Sequence, residues 1–373
     1  MPNTTDFYIN GQWVAPIRPR DFPVINPSTE EVCATISLGE PEDTEAAVAA
    51  ANAAFAGWAA TPVAERIAAL ERLLEAYKAR AEDMAQAIST EMGAPIDWSR
   101  QQQVTSGDWH FEGFIAAAKA MDWDRPLGPH APGERIFHEP IGVCALITPW
   151  NWPMNQIALK VAPALATGCT CVLKPSEHTP VSAMIYAEII HEAGYPAGVF
   201  NLVNGDGITV GSALSRHKDV QMMSFTGSTR AGIAVTHDAA ETVKRVTLEL
   251  GGKSPNLVFA DCDLEDRVTA SVQECMFNTG QSCDAPTRLL VERSCYDAVL
   301  EIARRAAEDI AVGDPAQEGD HIGPLFDRIQ FDRVQAMIHV GLDEGATLLT
   351  GGPGKPEGCE TGWFVKPTIF ADV

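Results

Sequence analysis

Hydrophobic and polar positions change rhythm several times along the chain. Before Pro41 the apolar residues fall in short runs, Phe7-Tyr-Ile-Asn-Gly-Gln-Trp13 and Pro23-Val-Ile-Asn-Pro27, which predict short strands joined by turns. After Pro41 helical spacing takes over and predicts two helices. In the second, Ile67, Leu70, Leu73, Leu74, Tyr77, Met84 and Ile88 recur near the helical period, and Gly93 with Pro95 closes it. That stripe is core packing. From Met121 to Pro140 the pattern is broken by Pro126, Gly128, Pro129, Pro132 and Gly133, which predicts an extended arm or hairpin, either a linker or an oligomer contact.

From Ile141 short apolar runs alternate with helix-length stretches. The runs are Gly142-Val-Cys-Ala-Leu-Ile147, Thr170-Cys-Val-Leu-Lys174, Val199-Phe-Asn-Leu-Val203, Val220-Gln-Met-Met-Ser224 and Arg245-Val-Thr-Leu-Glu249. Alternation of this kind predicts an α/β fold with a doubly wound, Rossmann-like parallel sheet and helices on both faces. Such a sheet binds ligands at the carboxyl ends of its strands. A second alternating region begins with Asn256-Leu-Val-Phe-Ala260, so a boundary is expected near residue 251. Residues 1–120 and 141–250 are expected to form one domain, 121–140 an arm, and 251–373 a second α/β domain. The chain stops at Phe370-Ala-Asp-Val373, just after a strand-like run, and the second domain reads as incomplete.

Composition narrows the class. Fifty acidic against 27 basic residues give a formal net charge of -23, which repels nucleic acid and anionic lipid. No run approaches the ~18 apolar residues of a membrane span, and the start shows no basic stretch followed by an apolar one. The nine cysteines follow no CxxC or zinc-finger spacing, so no metal site is expected and a reducing, cytoplasmic compartment fits.

Among those cysteines Cys283 stands apart. It lies in Phe277-Asn-Thr-Gly-Gln-Ser-Cys-Asp-Ala-Pro-Thr-Arg288, a polar bend able to present a nucleophilic thiol. Cys144, Cys169, Cys171, Cys262 and Cys275 occupy apolar, small-residue or strand-like runs, where cysteine packs as a small hydrophobe. Thr148-Pro-Trp-Asn-Trp-Pro153 places Asn151 before a helix, either as an oxyanion donor or as a helix cap. Lys174-Pro-Ser-Glu177 sets a cation and a carboxylate at the rim of the sheet, suited to ribose hydroxyls or else a solvated pair. Gly205-Asp-Gly207 with Gly211 departs from the dinucleotide fingerprint. Phe225-Thr-Gly-Ser-Thr-Arg-Ala-Gly232, expected after the fourth strand, offers backbone N–H groups to a phosphate. Glu249 ends the fifth run in an apolar setting, as a general base or a structural carboxylate.

With Asn151, Lys174, Glu177, Phe225 to Gly232, Glu249 and Cys283 in that order, the chain resembles the aldehyde dehydrogenase superfamily from about Phe7 to its last residue. The resemblance implies that Cys283 is the nucleophile, Glu249 the base, and Asn151 the oxyanion donor together with the Cys283 backbone N–H. It implies cofactor contacts at Thr148, Pro149, Trp150, Lys174, Ser176, Glu177, Gly207, Gly211, Phe225, Thr226, Gly227, Ser228, Leu250, Gly251 and Gln330. Of these, Lys174 and Glu177 would take the adenosine ribose, Ser228 the pyrophosphate, Gly207 the adenine side and Gln330 the nicotinamide ribose. The expected reaction is oxidation of an aldehyde to an acid through a cysteine thiohemiacetal and thioester. The expected cofactor is NAD rather than NADP, because Glu177 would repel a 2'-phosphate. Glu249 argues against a CoA-acylating semialdehyde dehydrogenase, which remains a rival. Asp284 beside the nucleophile departs from the pattern, and Trp152 and Phe277 suggest an aromatic pocket wall without specifying the aldehyde. Family members continue well past Val373, so a truncated form with weak or absent turnover is the second expectation, and a homodimer or homotetramer that of the intact form.

Overall fold

Consecutive parallel strands need a crossover connection, usually a helix, to carry the chain back to the start of the next strand, and the central stretch of the sequence follows that rule. The structure, a computed structural model, describes residues 4–373. In chain order it begins with β1 (Phe7–Ile9), β2 (Gln12–Val14), β3 (Asp21–Ile25) and β4 (Val32–Ser37). Helices α1 (Pro41–Ala59), α2 (Val63–Ala79), α3 (Ala81–Met92), the short α4 (Ile96–Trp98) and α5 (Thr105–Ala120) follow, then the hairpin β5 (Asp124–Gly128) and β6 (Ala131–Phe137). The alternating region is β7 (Val143–Ile147), α6 (Pro153–Ala166), β8 (Thr170–Lys174), α7 (Pro180–Glu192), β9 (Phe200–Leu202), α8 (Ser212–Arg216), β10 (Met222–Gly227), α9 (Thr229–Ala240) and β11 (Arg245–Leu250). Beyond it come β12 (Pro255–Val258), α10 (Leu264–Met276), β13 (Arg288–Val291), α11 (Tyr296–Glu308), α12 (Arg328–Asp343), β14 (Thr347–Thr350) and β15 (Ile369–Ala371).

Two compact units result. The first comprises residues up to Val24, Ala34–Ala87 and Arg100–Leu250; the second comprises Ile25–Cys33, Ile88–Ser99 and Gly251–Val373. The second unit thus includes two N-terminal segments that had been expected within the first domain. Local pattern cannot reveal this, because membership depends on which distant residues a segment packs against.

The first unit is built on one seven-stranded sheet in the order β11-β10-β7-β8-β9-β1-β2. β7 to β11 pair in parallel, while β1 pairs antiparallel with both of its neighbours, β9 and β2. Side chains alternate across the sheet. Val143, Ala145, Ile147, Val172, Met223 and Phe225 share a core with Ala47, Val48 and Ala51 of α1, Leu214 of α8 and Val235 of α9. Burying one such side chain contributes about 1.5–3 kcal/mol, so this layer anchors the strand ends. α1 opens with a capping box between Glu40 and Asp43, and α6 and α7 open on prolines whose missing N–H costs a helix nothing at its first turn.

Two differences from the expected elements are local. The apolar stripe from Ile67 to Ile88 belongs to two helices, since α2 ends at Arg80, whose guanidinium meets Asp83, Glu188 and Glu192 at 2.5, 2.9 and 2.7 Å. The fourth strand is displaced and runs from Met222 to Gly227, so Phe225, Thr226 and Gly227 lie in the ladder rather than after it.

The second unit combines parallel β12 and β13 with α10 and α11 and an antiparallel pair, β14 and β15. Val258, Val268, Val272, Val299, Ile302 and Ala306 form its core. Among the described residues no helix is long and apolar enough to cross a membrane.

Candidate active site

Most of the expected cofactor residues lie at the carboxyl ends of β7 to β10, all within the first unit. Thr148 follows β7; it is buried, and its N–H donates to Lys174 O at 3.2 Å. Pro149 and Trp150 are half-buried. α6 starts at Pro153 with Trp152 in the cap position and no side-chain capping bond, so the helix cap considered for Asn151 is not made. Instead the Asn151 carbonyl accepts from Gln103 Nε2 at 3.1 Å, which fixes the peptide.

Lys174 is only 3% exposed. Its Nζ donates to Pro175 O at 2.8 Å, Gly205 O at 2.5 Å and Glu177 Oε2 at 3.3 Å, so its three protons are all engaged. The solvated pair considered from sequence is therefore a buried clamp that ties β8 to the loop after β9, with Glu177 half-buried beside it and Ser176 buried.

That loop is tight. A Cβ at Gly205 would sit 2.3 Å from Val210 Cγ2, whereas one at Gly207 would meet nothing within 4 Å. Asp206 accepts from Thr209 N at 2.6 Å and from Arg20 Nη2 at 2.6 Å, and Gly211 N donates to Asp206 O at 3.1 Å. Ser228 caps α9, its Oγ accepting from Ala231 N at 3.3 Å, and is exposed. The Thr226 hydroxyl and the Asn204 carboxamide, both at strand ends, are buried with no hydrogen-bond partner among the described residues.

Glu249 lies on β11 and is exposed rather than buried in the apolar setting expected. β11 is an edge strand with β10 as its one neighbour in the sheet, and every second residue of it is open. Glu249 lines a cavity of about 960 Å³ together with Lys160, Leu146, Met222, Ser224 and Thr247. Lys160 reaches into this space from α6, is 5% exposed, and donates through Nζ to Ser224 Oγ at 2.9 Å. Burial pulls its ammonium down to about 8, opposed by the Glu249 carboxylate. Sequence reasoning missed Lys160, and the available signal was a helical lysine with Ile157, Pro163 and Ala164 three and four positions away.

In the second unit three consecutive residues, Asn278, Thr279 and Gly280, take left-handed φ values of 52°, 58° and 72°. For the β-branched Thr279 this is strained. The bend is pinned by Thr279 Oγ1 donating to Gly323 O at 3.0 Å, Gln281 Nε2 to Asn278 O at 2.9 Å, and Phe326 N to Gln281 Oε1 at 3.0 Å. Just beyond the pins Cys283 and Asp284 are exposed. A Cβ at Gly252 would lie 3.2 Å from Cys283 O, so that glycine permits close passage of the 251–252 backbone. Phe277 stacks at a tilt on Trp98, with centroids 4.4 Å apart. Gln330 is in the first turn of α12, its N–H donating to the capping Asp327 Oδ1 at 2.7 Å.

The first unit thus carries Asn151, Glu249 and the strand-end groups, with Leu250 at the end of β11, and the second carries Cys283, Gly251 and Gln330. Residues 13–373 match the aldehyde dehydrogenase family. The chain is 49% identical over 374 residues to a 3-succinoylsemialdehyde-pyridine dehydrogenase of a Pseudomonas species, covering 100% of this chain and 78% of that protein. Its structure resembles an aldehyde dehydrogenase from Bartonella henselae, with a TM-score of 0.98, 52% identity, and coverage of 100% of this chain and 78% of that one. It also resembles aldehyde dehydrogenase C from Pseudomonas syringae, solved as a mutant with NAD+ and octanal, with a TM-score of 0.97, 48% identity, and coverage of 100% and 76%. The chain belongs to the aldehyde dehydrogenase family.

Proposed function

We propose that the chain oxidises an aldehyde to a carboxylic acid with NAD+, using Cys283 as nucleophile. The observation that carries this reading is the exposed thiol on a pinned, left-handed bend, a geometry a structural cysteine does not need. The Cys283 thiolate adds to the carbonyl carbon, and the Asn151 amide and the Cys283 N–H donate to the oxyanion that develops. When bound, NAD+ supplies the hydride acceptor. Glu249 then takes a proton from the water that cleaves the Cys283 thioester, releasing the acid.

The strand ends suit the dinucleotide. The buried Thr226 hydroxyl and Asn204 carboxamide have no hydrogen-bond partner among the described residues, the space at Gly207 is open, and the Ser228-capped start of α9 presents N–H groups suited to a phosphate. Thr148, Lys174, Ser176, Glu177, Gly207, Gly211, Phe225, Gly227 and Ser228 would hold it, joined by Leu250, Gly251 and Gln330. Glu177 favours NAD over NADP, since its carboxylate accepts from ribose hydroxyls and repels a 2'-phosphate. The exposed β5–β6 hairpin is the proposed subunit contact.

The test is NADH formation across aliphatic, aromatic and semialdehyde substrates, with the product analysed as free acid in the absence of CoA. Cys283→Ala should abolish it. Unchanged activity in that variant, or a strict need for CoA, overturns the reading.

A further inference from the structure

Cys169, expected to be an inert packing residue, sits in a polar cradle. It follows Thr167-Gly168 at the end of α6, where Gly168 takes φ +84°. A Cβ at Gly168 would stand 2.8 Å from Arg66 Nη1, so the glycine admits that buried guanidinium to the vicinity of the thiol. The Thr167 hydroxyl lies 3.5 Å from Cys169 Sγ, the Cys144 thiol hydrogen-bonds it, and the backbone N–H groups of Ile141 and Gly142 point to it. The Arg66 charge acts on it as well. Two backbone donors, a thiol and a nearby cation make a site for a thiolate, while the Thr167 hydroxyl spends its one proton on Pro163 O at 2.8 Å. Donation from Cys144 first, with help from the two backbone groups, brings the Cys169 thiol down to about 6 against the opposing effect of burial. Cys144, the donor, moves the other way, well above its ordinary value, through the same hydrogen bond and burial.

Cys144 and Cys169 both line the cavity of about 960 Å³, on the sheet face opposite the α1 core. Leu146, Leu159, Met222 and Val246 give that cavity apolar wall, with room for a ligand of several carbons. We propose that Cys169 is a second nucleophilic thiol, with Cys144 as its hydrogen-bond partner, and that it covalently captures α,β-unsaturated carbonyl compounds. The thiolate attacks the β-carbon and a C–S bond forms. The C=C π pair moves toward the carbonyl as an enolate, which takes a proton at the α-carbon from solvent, so no electron acceptor is required.

Register argues for this chemistry over a disulfide. Cys144 pairs with Cys171, not with Cys169. With strands ~4.8 Å apart and a rise of ~3.3 Å per residue, the diagonal from Cys144 to Cys169 is roughly 8 Å between Cα atoms. Disulfides need about 4.4–6.8 Å.

The experiment uses the whole chain as Cys283→Ala, so that the exposed thiol does not consume the probe. The protein is treated with crotonaldehyde at neutral pH, the adduct is fixed with borohydride, and modified peptides are mapped by mass spectrometry. Cys169 should be modified at least about tenfold faster than the buried Cys171 and Cys295, in keeping with its thiolate character. Cys144→Ala should slow it by about tenfold, and Cys144→Ser, which keeps a donor, should slow it less. If Cys144→Ala does not fold, the rate ratio among the thiols of the Cys283→Ala protein decides alone. Modification of Cys169 only after unfolding, or at the rate of Cys171, overturns the proposal. So does a Cys144–Cys169 disulfide as the main product when hydrogen peroxide replaces crotonaldehyde.

Discussion

Lys160 Nζ donates to Ser224 Oγ across 2.9 Å, joining α6 to the β10 strand of the sheet beneath it. A charged group held this deep makes stability depend on pH. Its folded pKa, about 8, lies below the ordinary value of 10.5, so between these values the unfolded chain binds more protons and stability rises with pH. The full relief is on the order of 3 kcal/mol. Lys160→Met should remove this rise: urea unfolding of the native chain should gain stability relative to the variant between pH 8 and pH 10.5. Parallel pH curves for the two proteins would contradict the assignment.

Loss of the proposed nucleophile should be near-total. Cys283→Ala is expected to lower NADH formation by on the order of a thousandfold or more, with the far-ultraviolet circular dichroism unchanged, because the side chain is exposed and supports no core.

Glu249→Gln separates the two halves of the reaction. If Glu249 activates water, the variant should retain a rapid first release of NADH but turn over about 10²–10⁴-fold more slowly afterwards. Stopped-flow absorbance resolves the two phases, and a slowed first phase would assign Glu249 elsewhere.

Glu177→Ser should relax cofactor choice. Removing the carboxylate from the Lys174 clamp is expected to raise kcat/KM with NADP relative to NAD by about tenfold, the scale of one unfavourable charge contact. An unchanged ratio would show that Glu177 serves Lys174 alone.

Gln281→Ala tests the pinning of the Cys283 bend. It removes the acceptor for Phe326 N and the donor to Asn278 O, both in buried surroundings. A loss of about 1–3 kcal/mol is expected in denaturant unfolding, together with reduced activity from a thiol less firmly placed.

β7 and β8 were legible because a strand between two helical layers must be apolar along its length, and that leaves short, dense hydrophobic runs between helix periods. The exposure of Cys283 was legible too, since its neighbours are polar and small. Lys174 was not, since a strand-end lysine beside a glutamate looks solvated until the Gly205 carbonyl folds back over it. Glu249 erred in the opposite direction, because alternation alone cannot tell a central strand from an edge. Cys169 shows the same limit: its sequence neighbours are small and apolar, while the Cys144 thiol comes from the adjacent strand and the Arg66 charge from α2.

By itself the sequence determined what periodicity and order can carry: the α/β class, the parallel run of strands, the division near residue 251, and the family-specific succession from Asn151 to Cys283. The tertiary structure decided which polar groups are buried, where the helix stripe breaks at Arg80, and which side chains share the cavity over β7, β10 and β11. The physical reason is distance along the chain. Periodicity is set by neighbours a few residues apart, whereas desolvation and charge at Lys160, Lys174 and Cys169 are set by groups that only folding brings near.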